Sequence, residues 1–162
     1  MKEPEAIINS VVLCDGFKKK GKNWWLQVND VWQVINLQKS QYGNQFYINL
    51  GVYLGNVIGD EKVKINLCHI QFRLESILSA NDRTLIKQVL DLDNPMPEIE
   101  RAKELSLLLR RGVERMEKLN CRSAIHLNLS QDEFKNVLIL PGSLELLDKP
   151  EDKSQIAQQL ED

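Results

Sequence analysis

Residues 31–54 read VWQVINLQKSQYGNQFYINLGVYL, and the alternation inside this stretch decides the fold. In its second half Phe46, Ile48, Leu50, Val52 and Leu54 are apolar, with Gln45, Tyr47, Asn49, Gly51 and Tyr53 between them. Side chains on a strand point alternately to either side, so one face is a core face and the other is polar and aromatic. In the first half Val31, Gln33, Ile35, Leu37 and Lys39 share a face, and Trp32, Val34, Asn36, Gln38 and Ser40 share the other. A turn centred on Tyr42-Gly43, with the glycine taking positive φ, pairs Gln41 with Asn44. That register sets Ile35 opposite Leu50, Leu37 opposite Ile48, Asn36 opposite Asn49 and Gln38 opposite Tyr47. A slip of one residue would turn every apolar side chain to the wrong face.

The flanking segments repeat the pattern. In Asn23–Asn29, Trp24, Leu26 and Val28 face one way and Trp25 and Gln27 the other. A turn at Asn29-Asp30 then pairs Val28 with Val31, Trp24 with Ile35, Trp25 with Val34 and Gln27 with Trp32. Downstream, Val63–Leu74 is expected as the fourth strand, with Cys68, Ile70, Phe72 and Leu74 inward and His69, Gln71 and Arg73 outward. The expectation is an α+β fold: a four-stranded antiparallel meander with helices packed on one face, an N-terminal helix first and a helical C-terminal half.

Helix signals surround the sheet. Pro4 suits a first turn and Gly16 a helix end, with Ile7, Ile8, Val11 and Val12 giving an apolar stripe between them. Lys18, Lys19, Lys20 and Lys22 read as a solvated basic turn. Ser79 with Asp82 is a capping pair for a second helix. After Asp93-Asn94-Pro95-Met96-Pro97 the longest helix runs to about Leu119. Its stripe is Ile99, Ala102, Leu105, Leu109, Val113 and Met116, its wet side includes Arg101, and its interior Gly112 points to close packing. Ser130 with Glu133 looks like another capping pair, and Val137–Leu140 like a short strand stopped by Pro141-Gly142. Residues 1–149 are expected to form one domain, and the polar segment 150–162 a frayed tail.

Composition narrows the function. A formal charge of -2 at pH 7 argues against a nucleic-acid partner, which normally needs a basic field. Neither a signal peptide nor a membrane span is expected. Cys14, Cys68 and Cys121 are widely spaced and odd in number, which fits reduced thiols in the cytoplasm. No metal or cofactor is expected, because His69 and His126 have no thiolate or carboxylate at ligand spacing. Cys68 and His69 are adjacent on a strand and point apart, so they do not make a thiol–imidazole pair.

Gly16-Phe17-Lys18-Lys19 through Trp24, VINLQKSQYGNQFYINLGV at 34–52 and CHIQFRL at 68–74 together resemble the bacterial family called domain of unknown function 4304. The resemblance implies a small α+β protein of unassigned biochemical role and carries over no catalytic residue. It draws attention to Gln38, Ser40, Asn49, Gly51, His69 and Arg73.

The polar face is therefore the candidate site: Trp25, Trp32, Asn36, Gln38, Ser40, Tyr47, Asn49, Tyr53, His69 and Arg73. Aromatics and arginine among amides, with little Lys or Glu, is the composition of a recognition surface. The expected function is a non-catalytic binding protein with a protein partner, in the form of an immunity or inhibitor protein acting on a toxin. The alternative is a small-molecule enzyme or ligand-binding domain with a pocket around His69 and Arg73.

Overall fold

The computed structural model describes residues 3–55 and 63–148. Helix α1 (Pro4–Val12) starts on a proline, whose missing N–H costs nothing in the first turn, and continues through a short 3-10 turn to Gly16. The chain then lays down β1 (Lys18–Lys20), β2 (Asn23–Val28), β3 (Val31–Lys39) and β4 (Phe46–Leu54), and later β5 (Ile70–Arg73). Helices α2 (Ala80–Val89), α3 (Glu98–Met116) and α4 (Arg122–Asn128) follow, then β6 (Leu138–Ile139) and α5 (Ser143–Asp148). All six strands form one antiparallel sheet in chain order. The fold is α+β, and among the described residues no helix is long and apolar enough to cross a membrane.

The central register is the expected one. Ile35 pairs with Leu50, Asn36 with Asn49, Leu37 with Ile48 and Gln38 with Tyr47. Trp24 pairs with Ile35 and Trp25 with Val34. The β2–β3 turn places positive φ on Asn29, a residue that tolerates the left-handed region. The β3–β4 loop instead spans Gln41 to Asn44, closed by the Ser40 N–H donating to the Gln45 carbonyl at 2.8 Å, and Gly43 does not use positive φ.

Below the sheet lies the main core. Ile7, Ile8, Val11 and Val12 of α1 and Leu105, Leu108, Leu109 and Val113 of α3 meet Ile35, Leu37, Ile48, Leu50, Ile70 and Phe72. Gln33 shares this apolar face and is 2 % exposed; its amide donates to the carbonyls of Met116 at 2.8 Å and Leu119 at 3.4 Å. It thereby satisfies acceptors that the end of α3 leaves open. Gly112 lets α3 close onto Leu74, whose side chain occupies the space a Cβ would need. Ser79 caps α2 as expected, accepting from the Asp82 N–H at 3.3 Å.

Several expectations are corrected. The strand count is six, not four, because the lysine run is an edge strand paired with β2 and Leu138–Ile139 pairs with β5. A short lysine-rich edge strand discourages further pairing. The fourth long strand is only Ile70–Arg73: Ile65–Leu67 is a 3-10 turn. Ile99 is 87 % exposed, and Arg101, expected on the wet side, is 4 % exposed. Ser130 and Glu133 form no capping pair; the serine hydroxyl donates to the Leu127 carbonyl, and Glu133 pairs with Arg115 and Lys118. Segment 150–162 lies outside the described residues.

Candidate functional site

The polar sheet face divides into a covered half and an open half. Over the first, the 3-10 turn at Ile65–Leu67 folds back across the strands. It forms a second apolar cluster of Trp25, Val34, Val63 and Cys68, with Trp32, Tyr53 and Ile65 packed against it. Trp25 is 5 % exposed and its indole N–H donates to the Val63 carbonyl at 2.7 Å. Cys68 was expected in the main core; it is buried, but on the opposite side of the sheet. Burial pushes its thiol pKa up to about 12, so the nucleophilic thiolate is strongly disfavoured. Of the expected binding aromatics, Trp25, Trp32 and Tyr53 are thus packing residues of this cluster.

Gly51 makes the covering possible. A Cβ there would stand 2.6 Å from the Cys68 sulfur, 2.7 Å from Ile65 Cδ1 and 2.8 Å from Cys68 Cβ. Gly51→Ala is therefore expected to lose about 1–3 kcal/mol, the usual range for overpacking, and to speed thiol labelling of Cys68. Urea midpoints and labelling rates equal to wild type would contradict this packing.

His69 sits at the covered end. Its Nδ1 accepts from the Leu54 N–H at 3.0 Å, and its ring centroid lies 4.7 Å from that of Tyr53. Its carbonyl accepts from the Leu140 N–H at 2.8 Å and the Ser143 hydroxyl at 3.4 Å. The side-chain bond requires an unprotonated Nδ1. Burial first, and the Arg122 cation second, hold the imidazole pKa below its ordinary value. The native state thus binds this proton less readily than the unfolded chain does. The contribution to stability is complete above the ordinary histidine value of about 6.5 and is lost as pH falls through the lower folded-state value. We expect wild type to lose more stability than His69→Gln between neutral and mildly acidic pH; parallel pH profiles would refute this.

The open half carries a ladder of amides. Asn49 Nδ2 donates to Asn36 Oδ1 and to Gln38 Oε1, both at 3.0 Å, and Asn36 Nδ2 donates to Asn23 Oδ1 at 2.8 Å. Across the next ladder Arg73 pairs with Asn49. Its guanidinium carbon lies 4.2 Å from the Tyr47 ring centroid, a cation–π stack. Ser40, also expected here, serves the hairpin instead, its hydroxyl accepting from the Tyr42 N–H at 3.2 Å.

Between the two halves runs an open groove of about 380 Å³. Gln38, Asn49, Gln71 and Arg73 come from the strands; Asn66 from the 3-10 turn and Asn136 from the loop before β6 complete its polar lining, beside Ile65 and Leu138. Among the described residues that line it, Arg73 is the one cation and there is no carboxylate. His69 does not line this groove. Asn66 was missed because an unbroken Val63–Leu74 strand would turn it inward with Cys68 and Ile70, whereas it sits on a 3-10 turn; Asn136 belongs to no strand of alternating pattern. Among the described residues no three His, Cys, Asp or Glu side chains converge as a metal set would.

No curated protein and no solved structure matches the chain. A family profile does: it covers residues 8–133, from α1 to the approach of β6, and so includes the amide ladder, the covering turn and Arg73 but not Asn136 or Leu138. The chain belongs to the family described as Domain of unknown function (DUF4304).

Proposed function

We propose that this chain is a non-catalytic binding domain that holds a protein partner against the open half of its polar sheet face. The observation that carries the reading is the amide groove flanked by the Tyr47–Arg73 stack. Tyrosine and arginine are enriched at protein interfaces, where lysine and glutamate are depleted. The neighbouring groups with reactive potential support the same direction. The Cys68 thiol is buried, and His69 Nδ1 already accepts a backbone hydrogen bond.

In its finer form the partner is a toxin and this chain its immunity or inhibitor protein, working in a bacterial cytoplasm. Three unpaired thiols, at Cys14, Cys68 and Cys121, suit that reducing compartment. The test is capture of a partner, including the product of the adjacent gene, by wild type and by a Tyr47→Ala/Arg73→Ala variant of equal stability. A partner retained by wild type and weakened by about 2 kcal/mol or more in the variant, as for paired hot-spot residues, is the expected result. Equal retention by both proteins would overturn the assignment of this face.

A further inference from the structure

We infer that the groove beside Arg73 receives a carboxylate side chain, Asp or Glu, carried on an extended segment of the protein partner. The inference rests on the binding reading above and adds the chemistry of what is bound. Arg73 is half exposed, at 48 % of its side chain. Its planar face is occupied by Tyr47, which leaves the N–H groups on its edge for a ligand. Glu75 forms an ion pair with one guanidinium nitrogen at 3.8 Å, beyond direct hydrogen-bond distance, so the N–H donors stay open to a closer acceptor. A planar fork of donors held this way matches the two oxygens of a carboxylate.

The amides beside it are committed in a direction that suits an anion. Both Asn49 amide bonds go to oxygens, one of them Gln38 Oε1. Gln38 therefore accepts inside the ladder and keeps its own amide N–H groups for the groove, next to Arg73. One guanidinium and a neutral donor suit the single charge of a carboxylate. A phosphate-rich partner such as nucleic acid would call for several cations, and the described lining residues include one.

Further along β5 the character changes. Gln71 donates to the Cys68 carbonyl at 2.8 Å and so keeps its oxygen as an acceptor. Asn66 and Asn136 stand beyond it with both donor and acceptor atoms. Gln71 is two residues from Arg73 on the same strand, about 6.6 Å at strand rise, which is also the repeat of an extended peptide. A segment lying along the groove can place its acidic side chain at Arg73 and its next peptide groups against Gln71 and the asparagines. Ile65 and Leu138 bound this part of the groove and give the segment apolar surface to lie against.

The experiment titrates the isotopically labelled full chain with the blocked peptide Gly-Thr-Glu-Thr-Gly, with its Gln counterpart and with its phosphoserine counterpart, followed by NMR. We expect saturable shifts at the Arg73 Nε–H and the Gln38 side-chain amide, and affinity for the Glu peptide about tenfold above the Gln peptide, the scale of one charge-assisted pair. R73Q should abolish that preference, and R73K should restore only part of it. Equal binding of Glu and Gln peptides, no binding of either, or tighter binding of the phosphoserine peptide would each overturn the carboxylate assignment. A partner lost by the Tyr47→Ala/Arg73→Ala variant, with peptides that do not discriminate, leaves the interface standing and removes the carboxylate. Discriminating peptides with no partner captured do the reverse.

Discussion

Replacing Leu50 by alanine is expected to cost about 2–5 kcal/mol of folding stability, the range for emptying a buried leucine site. Leu50 is fully buried, sits mid-strand in β4 and is flanked across the ladders by Ile35 and Phe72. Its neighbours are fixed by hydrogen-bonded strands on both sides, so they relax poorly into the space and the cavity persists. The loss should appear as a lower urea midpoint with an unchanged denaturant slope. Gln41→Ala, on the exposed hairpin loop, should fall within about 0.5 kcal/mol of wild type, as surface changes usually do. Similar midpoints for the two variants would mean that the inward face of β4 has been misassigned.

The ease of reading Leu50 and the difficulty of reading the polar face have one physical origin. The face packed on the main core enforces alternation, so β2, β3 and β4 were legible from parity, although Trp25 and Val34 on the other face are buried as well. The β1 edge strand buries no side chain of its own, so Lys18–Lys20 carries no alternation and reads as a charged turn. The covering turn did leave a trace. Val63, Ile65 and Leu67 are apolar at odd positions, whereas Cys68, Ile70, Phe72 and Leu74 are apolar at even ones. A continuous strand cannot change phase without a bulge or break, and the break falls between these two sets. Gly51 was the complementary trace, a residue without a side chain where the polar face meets the turn. The open groove was partly legible: Gln38, Asn49, Gln71 and Arg73 follow from strand parity. Asn66 and Asn136 join them only through tertiary folding of a turn and a loop.

Arg101 was illegible for a different reason, and removing it should have an effect nearly as large as that of Leu50→Ala. On a helical wheel it belongs with charged neighbours, yet it is 4 % exposed. Its guanidinium donates to the carbonyls of Val89, Asp91 at 2.9 Å and Asn94 at 2.7 Å, with a longer contact to Gln88 at 3.4 Å. The Gln88, Asp91 and Asn94 carbonyls also accept from the backbone N–H groups of Asp91, Asn94 and Met96, so the arginine adds a second bond to each and supplies the donor for the Val89 carbonyl at the end of α2. The same loop also binds the β3–β4 hairpin, through the Leu92 N–H to the Asn44 carbonyl at 3.1 Å and Asn44 Nδ2 to Asp93 at 2.8 Å. One arginine on α3 therefore fixes the α2–α3 connection that braces the hairpin. Arg101→Ala should destabilise by about 2–4 kcal/mol, since hydrogen bonds from a charged donor contribute about 1.5–3 kcal/mol and the Val89 carbonyl loses its donor. Arg101→Lys should recover only part of this, because an ammonium is a point charge without the planar fork that reaches several carbonyls at once. Arg110→Ala, at an exposed position of the same helix, serves as the control. A denaturation midpoint for Arg101→Ala equal to that of Arg110→Ala would show that the loop carbonyls are satisfied without the arginine.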